Sequence, residues 1–580
     1  MLTTGSRASR RTCAVFFVAV LVFSLSASAG SSSATGATYP RYPIASVVKT
    51  TLQRTIIPAT VPTPSPAIYP YQINMYPTYG YGRWTWGAGV PRAKRVDIMP
   101  NTYSGAAETN VASLLRFFTI TDIHITDEET PAGTAAMGYM GGMSSAYSPV
   151  MMLTTQVLDA AIQTINALNR HTSFDFGLSL GDAANNAQTN ELRWYVDTLD
   201  GKVVSPDSGV KDDPIPGPGN DYQDAFRAAG LDKGIPWYQV LGNHDHFWIG
   251  SLPIDDYIKA AYLGTAILDL GNPFTSDLGL MSRGTYVGAL DGRTVNGTVY
   301  GAGPVADFAT PPQVPVADPN RKPMTTPAAW MAQFFDTTSK PVGHGFTQSN
   351  IDGDFASYSF EPRAGVPIKV IALDDTESTA DCATGVGGCG HSFVDQKRYD
   401  WLISELDKGQ AEGKLMIIAM HIPIGVEIPG SGMGWSATSA VTEAAFIAKL
   451  HTYPNLLALL AGHRHVNCIT PFRSPDPARP ELGFWQIETS SLRDWPQEFR
   501  TLQVVRNNDG TVSILATDVD PAVKPGSLAA LSRTYAVAAQ QLFQNSRTSL
   551  PSAVDNVELV KQLTPQMAAK LAKLGTPIRK

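Results

Sequence analysis

Five apolar runs in this chain each end on a short polar motif, and that coupling restricts what the chain can fold into. "LLRFFTI" leads into Asp122-Ile123-His124, "FDFGLSL" into Gly181-Asp182, and "IPWYQVL" into Gly242-Asn243-His244-Asp245. "KLMIIAM" precedes His421, and "NLLALLA" precedes Gly462-His463-Arg464-His465. Near-continuous apolar stretches of this length, bounded by Gly or polar residues, read as interior strands of a covered sheet. Open α/β sheets gather ligand-binding groups where strands hand over to loops at their carboxyl ends. The pattern therefore predicts an α/β layer fold in which several strands deliver carboxylates, imidazoles and one amide to a common edge.

Those residue types suit a pair of neighbouring divalent metal ions. Asp122 and His124 alternate along an extended segment, so they converge only if the chain turns at the strand end. A carboxylate beside an imidazole suits Mn, Fe or Zn. Asp182 is the candidate bridge, because one carboxylate can hold two cations roughly 3.5–4 Å apart, the spacing that clamps a phosphoryl transfer. Asn243 adds a neutral amide oxygen, and His421, His463 and His465 complete the donor set. His244 stands between Asn243 and Asp245. A histidine so placed, oriented and charged by Asp245, would protonate a leaving alkoxide.

Composition narrows the setting. Only 16 % of residues are charged and 43 % are hydrophobic, which favours a well-buried globular protein. A net charge of −7 gives no reason to expect nucleic acid as a partner. Arg7, Arg10 and Arg11 precede the apolar run 14–25, and Ala27-Ser28-Ala29 matches a cleavage site, so residues 1–29 read as a signal peptide of an exported protein. Ser9-Arg10-Arg11 is a partial twin-arginine signal, with Cys13 where Phe is usual, so Sec export stays open. Cys382 and Cys389 flank a Gly-rich stretch able to close a small disulfide loop, and Cys468 reads as a small buried residue.

Along the chain, residues 30–108 read as a Pro/Tyr-rich extended arm without sustained periodicity, anchored by Tyr79, Tyr81, Trp84 and Trp86. Residues 109–520 form the catalytic region, with insertions between Asp182 and Asn243 and between Asp245 and His421. The stretch 283–340 reads as irregular loops. A helix is predicted over 395–408, with Tyr399, Leu402 and Leu406 on one face. "TLQVVRNNDGTVSILATDVD" reads as a hairpin turning at Asn-Asp-Gly. Residues 521–580 read as a mainly helical tail.

The ordered motifs D-x-H, G-D, G-N-H-[DE], a lone His and G-H-x-H resemble the calcineurin-like metallophosphoesterase superfamily. "NAQTNELRWYVDTLDG", "GHGFT" and "WQIETSSLRDWPQEFR" resemble an exported bacterial branch with long insertions. The resemblance implies a four-layer αββα sandwich with a dinuclear centre. One metal would take Asp122, His124, Asp182 and His465, the other Asp182, Asn243, His421 and His463. It further implies in-line attack on phosphorus by a metal-bound hydroxide, with His244 assisting the leaving group. The chain departs from the Tyr-ligated purple acid phosphatases, since Asn185 stands where their Tyr stands. Arg464, Asn185, Asn186, Arg493 and His344 are further candidates for the substrate pocket. The remaining His171, His246, His391 and His451 read as surface or packed residues. The reading is a phosphoesterase acting on a small-molecule or lipid phosphoester, periplasmic or extracellular. A phospholipid, sphingolipid or cyclic-nucleotide phosphodiesterase is the alternative, and a non-catalytic metal-binding module is the alternative from another class.

Overall fold

The computed structural model describes residues 48–61, 75–127, 129–133, 148–208, 224–264, 317–382, 388–426, 434–543 and 553–578. The proposed signal peptide and most of the 283–340 stretch lie outside the described residues.

All five apolar runs form strands. Asn110–Ile120, Phe176–Ser179 and Trp237–Gln239 run parallel in one sheet, and Leu415–Ala419 and Leu456–Ala461 run parallel in a second. The second sheet is completed by Ile368–Ala372 and Phe484–Glu488, also parallel, and by antiparallel edges Tyr358–Phe360 and Cys468–Phe472. In the first sheet Asn110–Ile120 pairs on its other side with Phe499–Asn507, which turns back into Val512–Val519 as the predicted hairpin.

The two sheets face one another across a single core. Phe117, Leu502 and Val504 of the first sheet join Val370, Ile417, Leu460 and Ile487 of the second in one buried cluster. Truncating any such Leu or Ile to Ala typically costs about 2–5 kcal/mol. The helix Thr154–His171 buries Val157, Leu158, Ala161, Ile162 and Ile165 on the first sheet's side. The helix Gln396–Ala411, capped by Asp395 accepting from the Arg398 N–H at 2.7 Å, and the helix Glu443–Leu450 cover the second sheet through Leu402, Leu406, Phe446 and Leu450. The order is helices, sheet, sheet, helices, the four-layer sandwich expected.

Two boundaries need correction. The arm is not without strands: Arg54–Pro58 pairs antiparallel with Trp84–Ala88, and Ala93–Arg95 joins the first sheet. The tail is not simply helical. After the helix Leu528–Phe543, the strand Val557–Lys561 inserts between Val512–Val519 and Ala93–Arg95, so the first sheet extends beyond residues 109–520 at both ends. The described end of the 283–340 stretch holds a short helix, Pro327–Ala332. Cys382 and Cys389 are disulfide-bonded, and the two cysteines pack on Phe247.

Candidate metal centre

Each motif sits where its strand ends, and the backbone there is sharply bent. Asp122, His124, Asp182, His463 and His465 all have left-handed φ, between 48° and 67°. This turn lets Asp122 and His124 converge instead of alternating. Each such residue costs about 1 kcal/mol or more, and strain of this kind concentrates at sites the rest of the fold over-determines. The motif glycines serve close approach. A Cβ at Gly242 would lie 2.2 Å from Asp182 Oδ1, one at Gly181 2.5 Å from His421 Nδ1, and one at Gly462 2.5 Å from Asp122 Oδ2.

The seven candidate ligands meet. Asp182 Oδ2 lies 3.7 Å from His124 Nε2 and 3.2 Å from His421 Nε2. On one side of it, His465 Nε2 is 3.1 Å from His124 Nε2 and 3.3 Å from Asp122 Oδ1. On the other, Asn243 Oδ1 is 3.0 Å from His421 Nε2 and 3.2 Å from His463 Nδ1. Two donor sets thus share one carboxylate oxygen. The chemistry of the set fits two cations: ring nitrogens and carboxylate oxygens, nearly all buried, point at common spots rather than at separate partners. Neighbouring groups fix the ring tautomers. His421 Nδ1 donates to Leu180 O at 2.8 Å, and His465 Nδ1 donates to Asp494 Oδ2 at 2.7 Å, so each ring turns Nε2 inward.

The buried carboxylates hold protons on the neighbouring imidazoles. Burial disfavours a charged ring, yet Asp182 and Asp122 outweigh it and push His421 up to about 10. Burial likewise opposes the charge on His465, but Asp122 and Asp494 push it up to about 10. Burial and the His421 charge push His463 down to about 3. Burial alone would raise Asp182, but His421 and His244 hold it well below the ordinary carboxylate range. Both raised rings are protonated at neutral pH, and a divalent ion must displace those protons. Titrating Zn²⁺ into the ion-free protein at pH 7 in weak buffer is therefore expected to release about two protons per chain, with affinity falling as pH drops. Binding without proton release would contradict this charge balance.

The candidate catalytic pair is placed less simply. A ring nitrogen of His244 lies within 4.8 Å of the donor atoms of His124 and Asp182, and the backbone N–H of His244 donates to Asp182 Oδ1 at 2.9 Å. Its orienting partner is not Asp245. His244 Nδ1 bonds Asn185 O at 2.6 Å. Both Asp245 oxygens are taken by backbone N–H groups of Asp182, Ala183, Ala184 and Gly242, at 2.9–3.1 Å. A buried carboxylate facing four main-chain donors clamps the two motif loops together. Burial lowers His244 from its ordinary value.

No protein-family model matches this chain. No curated protein matches it. Among solved structures, the chain is similar to a dimetal phosphatase from Danio rerio, with 13% identity over 71% of this chain and 100% of that one, and a TM-score of 0.33. It is also similar to a putative 5'-nucleotidase from Staphylococcus aureus in complex with alpha-ketoglutarate, with 11% identity over 74% of this chain and 58% of that one, and a TM-score of 0.29. Likenesses this remote add nothing to the geometry.

The other candidates divide. Arg464 faces away from the site, held by Glu488 in a bidentate pair at 2.5 and 2.6 Å. His344 does not line the site; it stacks on Trp237 at 3.5 Å and bonds the Trp237 carbonyl. Asn186 is spent on Ile249 N–H and the Tyr262 hydroxyl. Asn185 and Arg493 remain beside His244, with Arg493 Nη1 donating to Asn185 Oδ1 at 3.0 Å. His246, His391 and His451 are packed against Thr376, Glu377 and Leu482 O.

Sequence reasoning missed two carboxylates. Asp375 accepts from the His421 and Ile422 N–H groups at 2.9 and 3.1 Å, clamping that loop as Asp245 clamps the others. Asp494 orients His465. Asp375 carried a signal, since "VIALDD" is one more apolar run ending on acid residues.

Proposed function

We propose that this chain is a dinuclear metal-dependent phosphoesterase acting on a small-molecule or lipid phosphoester outside the cytoplasm. The observation that carries the reading is Asp182 Oδ2, shared between an imidazole of each donor set at 3.7 and 3.2 Å. Asp122, His124, Asp182 and His465 would hold one divalent ion, and Asp182, Asn243, His421 and His463 the other. Bound there, Mn, Fe or Zn would supply Lewis acidity toward phosphoryl oxygens and a nucleophile from water at neutral pH.

The chain's own residues supply the rest. The clamps at Asp245 and Asp375 fix the loops that aim the ligands, so the geometry is set before substrate arrives. His244, with its Nδ1 proton held on Asn185 O, has Nε2 left to exchange a proton with a leaving oxygen. Burial lowers its proton affinity. An anionic phosphoester nearby would raise it, because opposite charge favours the imidazolium. Arg493, buried next to Asn185, adds fixed positive charge on the same side.

Location outside the cytoplasm is supported by the basic and apolar start of the sequence and by the Cys382–Cys389 disulfide, a bond typical of oxidising compartments. The test is a substrate panel with purified protein: an aryl monoester, a bis-aryl diester, a cyclic nucleotide and a phospholipid, each with Mn, Fe or Zn. Metal-dependent release of product from at least one ester is expected. A chain that binds two ions and hydrolyses none would leave the non-catalytic module as the better reading.

A further inference from the structure

The turn that follows Phe484–Glu488 touches one side of the centre repeatedly. Ser491 Oγ donates to the Asp122 carbonyl at 2.7 Å, and Leu492 N–H donates to Thr121 O at 3.2 Å. Asp494 Oδ2 accepts from His465 Nδ1 at 2.7 Å, and Arg493 reaches Asn185 beneath His244. Ser491 Oγ also accepts from the Arg493 and Asp494 N–H groups, at 2.9 and 3.0 Å, so the turn is internally tied. His421 and Asn243, by contrast, are held elsewhere, by Leu180 O and Asp375 and by Gly250 O.

The same turn is gripped from outside. Trp495 packs with Ile56 of the N-terminal ribbon and Val537 of the helix Leu528–Phe543. Gln497 Nε2 bridges the Arg493 carbonyl and Ser532 Oγ of that helix, both at 2.9 Å. The two chain ends, which carry no metal ligands, therefore meet on the segment that aims Asp122 and His465.

We infer that Asp494 is a positioning residue for His465, and that its turn couples the N-terminal ribbon and C-terminal helix to the Asp122–His124–His465 metal position more directly than to the other. The inference rests on the dinuclear reading above. A carboxylate bonded to the far nitrogen of a ligating imidazole fixes its tautomer and raises its basicity, and losing it typically weakens metal binding about 10–100-fold.

The test uses the full chain, made ion-free and titrated with Zn²⁺ against a competing chelator, in the wild type and in Asp494→Ala, Asp494→Asn and Trp495→Ala. Wild type should bind two ions. Asp494→Ala should weaken one of the two affinities about 10–100-fold and leave the other unchanged. Asp494→Asn, which keeps an acceptor oxygen, should fall between, and Trp495→Ala should weaken the same single affinity. Selective loss of one affinity, with the second unchanged and Asp494→Asn intermediate, is the pattern that a merely structural role would not give. Two wild-type affinities in Asp494→Ala, or equal weakening of both, would overturn the inference and leave the phosphoesterase reading standing. A wild-type chain that binds fewer than two ions would overturn both.

Discussion

Asp182→Ala is expected to reduce bound metal from two ions to one or none and to lower kcat/KM on the best ester by on the order of 10³–10⁵, as loss of several kcal/mol of metal-centred stabilisation implies. The side chain serves three partners. Oδ2 stands between His124 and His421, and Oδ1 receives the His244 N–H at 2.9 Å. No neighbour replaces it, because the carboxylate closest in sequence function, Asp122, accepts from the His463 N–H with both oxygens at 3.0–3.1 Å. Metal analysis of the purified variant, read beside its rate, checks this. A variant with two ions and a normal rate would remove Asp182 from the centre.

His244→Ala should behave differently, keeping two ions and slowing turnover by on the order of 10²–10⁴, the usual worth of a placed general acid. The loss should be largest for alkyl esters, whose leaving oxygens need a proton, and smallest for aryl esters with good leaving groups. The structure sharpens the alternatives. His244 is close enough to His124 and Asp182 to count among possible ligands. If the variant lost an ion, His244 would be a ligand; if aryl and alkyl esters slowed equally, it would not be the acid.

Much of this was legible because burial and chemistry coincide in the sequence. A strand covered on both faces must be apolar throughout, so the first polar residue after it marks the sheet edge, and five such transitions carry all seven candidate ligands. Other features had no such marker. Asp494 is one acid in a loop, and its meaning depends on a histidine 29 positions away in the chain. Arg464 looked usable because it sits between two ligands. Its strand lies beside Phe484–Glu488, where Ala461 pairs with Glu488, and the buried glutamate claims the guanidinium. Asp245 seemed a natural partner for its neighbour His244, yet adjacent residues on a tight turn point apart, and main-chain donors took the carboxylate. The strand Val557–Lys561 was hidden in a tail whose helix dominates the composition, since only five residues carry its alternation.

The candidate ligands are divided between the sheets: Asp122, His124, Asp182 and Asn243 follow strands of the first, while His421, His463 and His465 follow strands of the second. Each ion would hence fasten one sheet to the other at their shared rim, like a rivet through two plates. Every hundredfold excess of ion over its dissociation constant would tighten that seam by about 2.7 kcal/mol. Chelation should accordingly loosen the rim before either sheet melts, with amide exchange quickening first around residues 121–125 and 461–465.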